Sequence, residues 1–179
     1  MAAVRLSVGR CMSGGGMIHR LKQQHRELRK LGQELLALVR GEGPCAWETL
    51  SELRWRLVRL QLQHVALEER FLYRPLERSS RPRAAFLARS FIGEREAALV
   101  RFEEHFAHWN RVRIERDWPA FVASVVDLVG YWNGQMEREE ARLYSLVATT
   151  TPVRTGRPQD RNWEVGSWQV RDRMRRASV

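Results

Sequence analysis

Two segments of the chain carry side chains that can bind a metal ion, and the second segment is an altered copy of the first. Residues 57–76 read LVRLQLQHVALEERFLYRPL, and residues 128–147 read LVGYWNGQMEREEARLYSLV. In the first copy His64 stands four residues before Glu68. Residues at i and i+4 of an α-helix lie on one face, a turn apart, so this imidazole and this carboxylate can bind a single ion.

The second copy keeps the carboxylate but not the histidine. Glu139 matches Glu68, whereas Gln135 stands where a counterpart of His64 would be. A neutral amide oxygen is a poorer iron ligand than an imidazole nitrogen, so we expect the half of the site near Gln135 to be weakened. The residues that are identical in both copies are Leu57, Val58, Glu68, Glu69, Leu72 and Tyr73 in the first, and Leu128, Val129, Glu139, Glu140, Leu143 and Tyr144 in the second.

Two further histidines fall on apolar helical stripes. His25 stands three residues before Leu28, and His105 stands three residues after Phe102. A single histidine on such a stripe is more often a hydrogen-bonded core residue, but here three helices each direct one imidazole toward the core. A divalent or trivalent cation compensates the cost of burying carboxylates among neutral imidazoles. The candidate metal ligands are therefore His25, His64, Glu68, His105 and Glu139, with Gln135 beside them.

Four amphipathic helices have to position these residues, since apolar side chains recur at intervals of three and four. The helices are predicted from about Met17 to Arg40, from Trp47 to Pro75, from Ala84 to Trp109 and from Asp117 to Ala148. Pro75 cannot continue a helix, and Asp117 is a candidate N-cap. Because short connections favour antiparallel neighbours, the predicted fold is all-α, an up-down-up-down antiparallel four-helix bundle over residues 17–148.

The composition indicates one globular domain that does not cross a membrane. The chain has 179 residues and a hydrophobic fraction of 44%, enough for a single core. It has no run of about eighteen apolar residues, the minimum for a membrane span. Cys11 and Cys45 lack the spacing of a metal or redox motif and fit a reducing compartment, so we predict a cytoplasmic protein.

The formal net charge of +10 is concentrated toward the two ends of the chain. Residues 1–16 are predicted to be a disordered N-terminal extension, and either Met1 or Met17 can be the functional start. Residues 149–179 form a basic, tryptophan-containing tail without sustained periodicity. Such a tail can attract phosphate or acidic proteins, but a solvated end is commoner, so nucleic acid is not the expected partner.

The ligand pattern resembles that of the hemerythrin-like, HHE cation-binding domains. These domains have a histidine on the first helix, H-x-x-x-E-E on the second, a histidine on the third and H-x-x-x-E-E on the fourth. Here the corresponding residues are QQH ending at His25, HVALEE at residues 64–69, EEH ending at His105 and QMEREE at residues 135–140. The resemblance covers about residues 17–148. Ferritin-like di-iron bundles use Glu-x-x-His instead, a spacing that the chain lacks.

The resemblance implies a non-haem iron centre inside the bundle that binds oxygen or responds to it. By position, His25 and His64 would bind one iron, His105 would bind the other, and Glu68 and Glu139 would bridge the two. Because Gln135 departs from the pattern, the centre could hold two irons unequally, hold a single ion, or have lost its metal.

Three neighbouring residues are expected to lie outside this ligand set. Glu69 and Glu140 lie about 100° farther round their helices than the bridging carboxylates. They are expected to face solvent or arginines, although the one-residue alternative at the fourth helix stays open. His108 could substitute for the missing histidine, but a surface position is commoner.

The leading hypothesis is a metal-binding protein that binds or senses oxygen, or another small diatomic ligand, or handles iron. The alternative is a metal-depleted helical scaffold that binds an acidic protein or nucleic acid through its basic surface and tail. No catalytic Ser/His/Asp set, CxxC, glycine-rich phosphate loop or HExxH motif is present, so we do not expect an enzyme. The side chains expected to line an apolar pocket are Leu60, Leu67, Phe71, Phe102, Phe106, Trp109, Tyr131 and Trp132.

Overall fold

The computed structural model describes residues 14–41 and 46–148, which are almost entirely helical and contain no β-strand. The helices are α1, Gly14–Val39; α2, which starts as Trp47–Glu68, passes through a π-helical turn at Glu69–Tyr73 and ends as Arg74–Glu77; α3, Pro82–His108; α4, Arg111–Arg116; and α5, which starts as Trp118–Arg138, passes through a π-helical turn at Glu139–Leu143 and ends as Tyr144–Ala148. The prediction of an all-α protein is confirmed for this part of the chain.

The four long helices coincide with the predicted ones to within a few residues, and their caps explain the boundaries. Asp117 accepts a hydrogen bond from the backbone N–H of Ala120 at 3.1 Å, so the predicted N-cap of α5 is confirmed. The short helix α4 was not predicted. It begins after Asn110, whose side chain accepts from the backbone N–H of Arg113 at 3.0 Å.

Helix α2 continues past the predicted end at Pro75. The π-helical turn Glu69–Tyr73 interrupts the α-helical hydrogen bonding, and Pro75 then falls in the first turn of the terminal segment Arg74–Glu77. Proline is tolerated in a first turn, because the backbone N–H that it lacks has no partner there. The expectation that Pro75 ends α2 was therefore wrong by one short turn.

The core consists of two hydrophobic clusters. Helix α1 packs against α2 and α5, and α3 packs against α5 and the end of α2. The larger cluster includes Leu35, Leu57, Phe102, Phe121, Val125 and Trp132, and the smaller includes Leu21, Leu72, Tyr73, Phe91, Leu143 and Tyr144. In sequence, each long helix carries buried polar residues between its contributions to the two clusters; these are Gln24, His25, His64, Glu68, Arg95 and Glu139. Gln135 is also buried and directly precedes Met136, the last residue of the larger cluster.

Several predictions concern residues outside the described part of the chain. These residues include Cys11, Cys45, the tail at residues 149–179 and most of the predicted extension at residues 1–16. Helix α1 begins at Gly14, so the last residues of that extension are helical. Among the described residues, no helix combines the length and the apolar character needed to cross a membrane.

Candidate metal centre

Four buried side chains from three helices converge between the two hydrophobic clusters. Their ligand atoms all lie within 4.8 Å of one another: His25 comes from α1, His64 and Glu68 from α2, and Glu139 from α5. Two ligands on opposite sides of an ion, each about 2.1 Å from it, would be about 4.2 Å apart. The four groups therefore have nearly the spacing that one ion requires, and these four sequence-predicted ligands lie together.

The two imidazoles present their Nε2 atoms to each other. Nδ1 of His25 lies 2.8 Å from a carboxylate oxygen of Glu140, and Nδ1 of His64 lies 3.2 Å from the side-chain oxygen of Gln24. Both oxygens can only accept, so each Nδ1 carries a proton. The two Nε2 atoms face each other at 3.0 Å, and in two neutral rings their lone pairs would point at one another. A cation shared by the two nitrogens, either a proton or a metal ion, removes this repulsion, and with the two carboxylates beside them the donor set fits a metal ion.

Each buried carboxylate has one oxygen turned toward an imidazole. Oε2 of Glu68 lies 3.4 Å from Nε2 of His64, and Oε2 of Glu139 lies 3.5 Å from Nε2 of His25. These distances are too long for strong hydrogen bonds and leave room for an ion among the four atoms. Mixed imidazole and carboxylate ligands suit iron and similar divalent metals.

Two tyrosines hold the other carboxylate oxygens, in a reciprocal exchange between α2 and α5. The hydroxyl of Tyr144 on α5 donates to Oε1 of Glu68 on α2 at 2.7 Å. The hydroxyl of Tyr73 on α2 donates to Oε1 of Glu139 on α5 at 2.9 Å. Each tyrosine follows the glutamate of its own copy by five residues and serves the glutamate of the other copy.

The electrostatics of the centre favour a bound cation. Burial opposes protonation of His64, but the carboxylates of Glu68 and Glu139 outweigh it and raise the pKa of His64. Burial alone would raise the pKa of Glu68, yet His64, His25 and the Tyr144 hydroxyl lower it below the ordinary value. Burial, followed by the two carboxylates, raises the pKa of both tyrosines, which therefore stay protonated and donate.

Gln135 lies beside the cluster and acts as a hydrogen-bond donor. It is buried, and its Nε2 donates to Oε1 of Glu139 at 3.1 Å. Its side-chain oxygen lies 3.4 Å from Nη2 of Arg138. The predicted position next to Glu139 is therefore found, but the amide stabilises the carboxylate rather than presenting a free oxygen to an ion.

A cavity of about 20 Å³ adjoins the cluster on the side of α3. It is lined by Gln61, His64, Val65, Glu68, Arg95, Ala98, Trp132, Gln135, Met136 and Glu139. Helix α3 contributes Arg95 and Ala98 here, where the resemblance to the HHE domains implied a histidine. The Arg95 guanidinium forms an ion pair with Glu69 and lies 4.7 Å from the centre of the Tyr73 ring. A positively charged side chain thus lines the cavity on the α3 side, where the resemblance implied a histidine ligand.

The structure does not bring His105 to the cluster. Its Nδ1 is hydrogen-bonded to the hydroxyl of Ser124 at 2.8 Å, and the oxygen of that hydroxyl accepts from Nε1 of Trp109. Ser124 precedes Glu139 by fifteen residues on α5, a distance of about 22 Å along the helix. Burial, then the charges of Arg54 and His108, lower the pKa of His105 to about 3. His105 is thus a neutral core histidine, because the apolar stripe of α3 extends well beyond the level of the metal ligands.

The remaining polar residues have arginine partners. His108 is exposed and hydrogen-bonded to Arg113, so it does not replace the missing ligand. Glu69 pairs with Arg95 and Arg74, as expected for a residue facing arginines. Glu140 pairs with Arg29 as expected, and it also holds His25 in place.

Two further features of the site differ from the sequence-based expectations. Of the aromatic side chains expected around the pocket, only Trp132 lines the cavity, and the others pack in the two hydrophobic clusters or against them. Gln24, Tyr73, Tyr144 and Arg95 were not identified as part of the site. The two tyrosines could have been found, because they are identical polar residues at matching positions of the two copies.

The family model of the hemerythrin HHE cation-binding domain matches residues 16–147. Comparisons with curated proteins and with solved structures gave no match.

Proposed function

The chain belongs to the family of hemerythrin HHE cation-binding domains, and on that premise we propose that it binds non-haem iron through His25, His64, Glu68 and Glu139. The observation that carries this proposal is the pair of facing Nε2 atoms 3.0 Å apart, each on an imidazole whose Nδ1 is held by an acceptor. Such an arrangement is unfavourable without a cation between the rings and two carboxylates.

The centre is best suited to one tightly bound ion. Two carboxylates balance the charge of one divalent cation among two neutral imidazoles. A second ion on the α3 side would meet the guanidinium of Arg95 and the amide N–H of Gln135, which repel it. The weakened second position expected from Gln135 thus has a second cause in Arg95.

The protein residues around the ion have separable roles. His25 and His64 bind it, Glu140 and Gln24 orient them, and the tyrosines fix the carboxylates. Iron bound by these residues would bind oxygen or another small diatomic ligand reversibly, for carriage or sensing. The same site would also serve a protein that handles iron. The apolar walls Ala98, Trp132 and Met136 limit the access of water. We propose a binding or sensing protein and not an enzyme, located in the cytoplasm.

The predicted up-down-up-down bundle is retained as part of the proposal. Its support is the order of the core contributions along each helix. Helix α1 passes from the smaller cluster through the polar residues to the larger one, and α2 runs in the opposite order. Helix α3 repeats the order of α1, and α5 repeats that of α2. Alternating order is what antiparallel neighbours produce.

Metal quantification of the full-length protein tests the proposal. We expect about one iron per chain after reconstitution and dialysis. We expect almost none in Glu68→Ala, because this substitution removes one of the four ligands that the three helices bring together. The exposed Glu52 on the same helix is the matched control, and Glu52→Ala should keep the full iron content. Equal iron content in the wild type and Glu68→Ala would overturn the assignment of the site.

The alternative function, a metal-depleted scaffold that binds an acidic protein or nucleic acid, rests on the basic surface and on the basic tail at residues 149–179. Those residues lie outside the described part of the chain. The same measurement separates the two functions, because the scaffold hypothesis expects no retained metal in the wild type.

A further inference from the structure

The outward face of helix α3 carries a line of mainly small and apolar side chains. The line repeats at alternating intervals of four and three residues, which is the spacing of a helix that packs lengthwise against another helix. All of its members are exposed, and we call this line the α3 seam: Phe86, Ser90, Gly93, Ala97, Val100 and Glu104. The buried residues Arg95 and Ala98, which line the cavity beside the metal centre, lie on the other side of the helix.

Three residues of the seam have no packing role within the described part of the chain. Phe86 is 69% exposed and Val100 is 54% exposed, and they are two of the four large hydrophobic side chains that are exposed among the described residues. Gly93, midway between them, costs a helix interior about 0.5–1 kcal/mol relative to alanine. The fold does not require this glycine, because a Cβ built on it would meet no other part of the described chain within 4 Å.

The exposed charged residues beside the seam are divided between its two halves. The first half carries Arg83 and Arg89, and the second carries Glu96 and Glu104. None of these four forms an ion pair with another described residue. Arg101, in the second half, instead lies over an aromatic ring of α5. A helix face with a basic half and an acidic half is complementary to an antiparallel copy of itself.

We propose that the α3 seam is an interface between two copies of this chain, packed antiparallel about a two-fold axis at Gly93. Phe86 of each copy then lies opposite Val100 of the other, because both residues are seven positions from the axis. Arg89 comes within one position of Glu96 of the other copy, and Arg83 within one position of Glu104. The two glycines on the axis let the helices approach closely. Two-fold symmetry repeats each of these contacts twice.

The charges favour a second copy over an acidic protein, a nucleic acid or an anionic membrane. Each of those partners would pair with the basic half of the seam but would be repelled by Glu96 and Glu104. Helix α3 has 27 residues and is therefore about 40 Å long. A strip roughly 10 Å wide along it buries about 400 Å² per copy, half of what a standard stable interface buries, so we expect a weak, reversible dimer.

Sedimentation velocity of the full-length protein from about 1 µM to about 1 mM tests the proposal. We expect a monomer–dimer equilibrium whose Kd rises at least about tenfold in Phe86→Asp, since the substitution buries a charge at two symmetric positions. Val112 is 70% exposed on α4, away from the seam, so Val112→Asp is the matched control and should dimerise as the wild type does. A wild type that stays monomeric throughout, or an unchanged Kd in Phe86→Asp, would overturn the interface.

A charge exchange tests the antiparallel register. Arg89→Glu and Glu96→Arg each bring like charges together at both symmetric contacts, so each variant alone should dimerise about threefold to tenfold more weakly. An equal mixture of the two variants forms heterodimers in which both contacts again join an arginine to a glutamate. Dimerisation of the mixture should therefore recover to nearly the wild-type level. If the mixture dimerises no better than either variant alone, the two copies do not meet in this register and the proposal fails.

Discussion

At the scale of single residues, the behaviour of the centre depends on what the outer nitrogen of each imidazole touches. Glu140 accepts from Nδ1 of His25 and is itself held by Arg29 at 2.9 Å. Burial would raise the pKa of Glu140, but the contacts with His25 and Arg29 lower it. The carboxylate therefore stays charged, fixes the ring of His25 and makes its Nε2 a stronger ligand.

Removing the charge of Glu140 should weaken metal binding without deleting a ligand. Glu140→Gln keeps the size of the side chain and loses the anionic acceptor, so we expect iron affinity to fall about tenfold to a hundredfold. The exposed Glu137 on the same helix gives the control Glu137→Gln, which should bind iron normally. Competition titrations against a chelator measure both. An unchanged affinity in Glu140→Gln would mean that this contact does not orient His25.

His105 leads to a prediction about acid stability. Its pKa is about 3 in the folded protein and 6.5 ordinarily, so below pH 6.5 the unfolded chain binds a proton that the folded chain does not. The preference of the folded protein for the neutral imidazole costs no stability above pH 6.5. As the pH falls from 6.5 toward 3, this preference lowers the free energy of unfolding progressively. We expect the free energy of unfolding to depend on pH less steeply in His105→Asn, by up to about 1.4 kcal/mol per pH unit in that window.

The asparagine can keep the hydrogen bond to Ser124, because its amide replaces the Nδ1 position of the ring. Denaturant unfolding of the metal-free proteins at several pH values measures the effect. His108→Asn removes an exposed histidine from the same helix and should leave the pH dependence unchanged. A parallel pH dependence in wild type and His105→Asn would show that His105 titrates normally in the folded state.

At the scale of elements, two π-helical turns position the side chains of the repeated segments at the site. The first turn, Glu69–Tyr73, directly follows Glu68, and the second turn, Glu139–Leu143, begins at Glu139. A π turn closes its hydrogen bonds from i to i+5, which brings a residue nearly over the one five positions before it. Tyr73 and Tyr144 follow the two glutamates by five residues, so each helix presents its glutamate and its tyrosine to the partner helix on one side.

The sequence predicted which segments form the helices of this site better than it predicted the level at which each helix meets its neighbours. Apolar periodicity located all four long helices, and the spacing from His64 to Glu68 and the repeat located α2 and α5 at the centre. Helix α3 could not be aligned in the same way, since periodicity identifies a buried face but not the level at which it meets its neighbours. Arg95 occupies that level, and His105 lies ten residues beyond it. The π turns were also missed, because no propensity of single residues encodes them.

The reciprocal tyrosine contacts should stabilise the protein in the absence of metal. Tyr144→Phe removes a buried hydrogen bond to the charged Glu68, and we expect a loss of about 1.5–3 kcal/mol in the free energy of unfolding of the metal-free protein. Tyr131→Phe is the control, because Tyr131 is only partly buried and its ring contacts Arg101. Its effect should stay within about 0.5 kcal/mol. Equal stabilities of the two variants would contradict the exchange between α2 and α5.

At the scale of the whole molecule, the polar residues of the candidate metal centre divide the core. The larger hydrophobic cluster contains the buried residues of α1, α2, α3 and α5 on one side of the polar residues, together with Ile114 of α4. The smaller cluster is formed by the beginnings of α1 and α3 and the ends of α2 and α5. It buries less apolar surface, so it depends more on the groups between the clusters for its stability.

Removal of the metal should therefore loosen one part of the protein more than the other. At a free iron concentration a hundred times its Kd, binding adds about 2.7 kcal/mol to global stability. We expect hydrogen exchange after chelation to accelerate most at residues 17–25, 68–77 and 139–147, which flank the ligands and contribute to the smaller cluster. Exchange at residues 28–39 and 121–132 should change least, since these residues belong to the larger cluster.

The variant Glu68→Ala separates this effect from a direct action of the chelator. Lacking one ligand, it should already exchange rapidly around the smaller cluster and should not respond to chelation. If chelation instead accelerates exchange equally in both clusters of the wild type, the core unfolds as one unit and the polar residues do not divide it. If chelation slows exchange, the facing imidazoles are better accommodated without the ion, and these four groups are not a metal site.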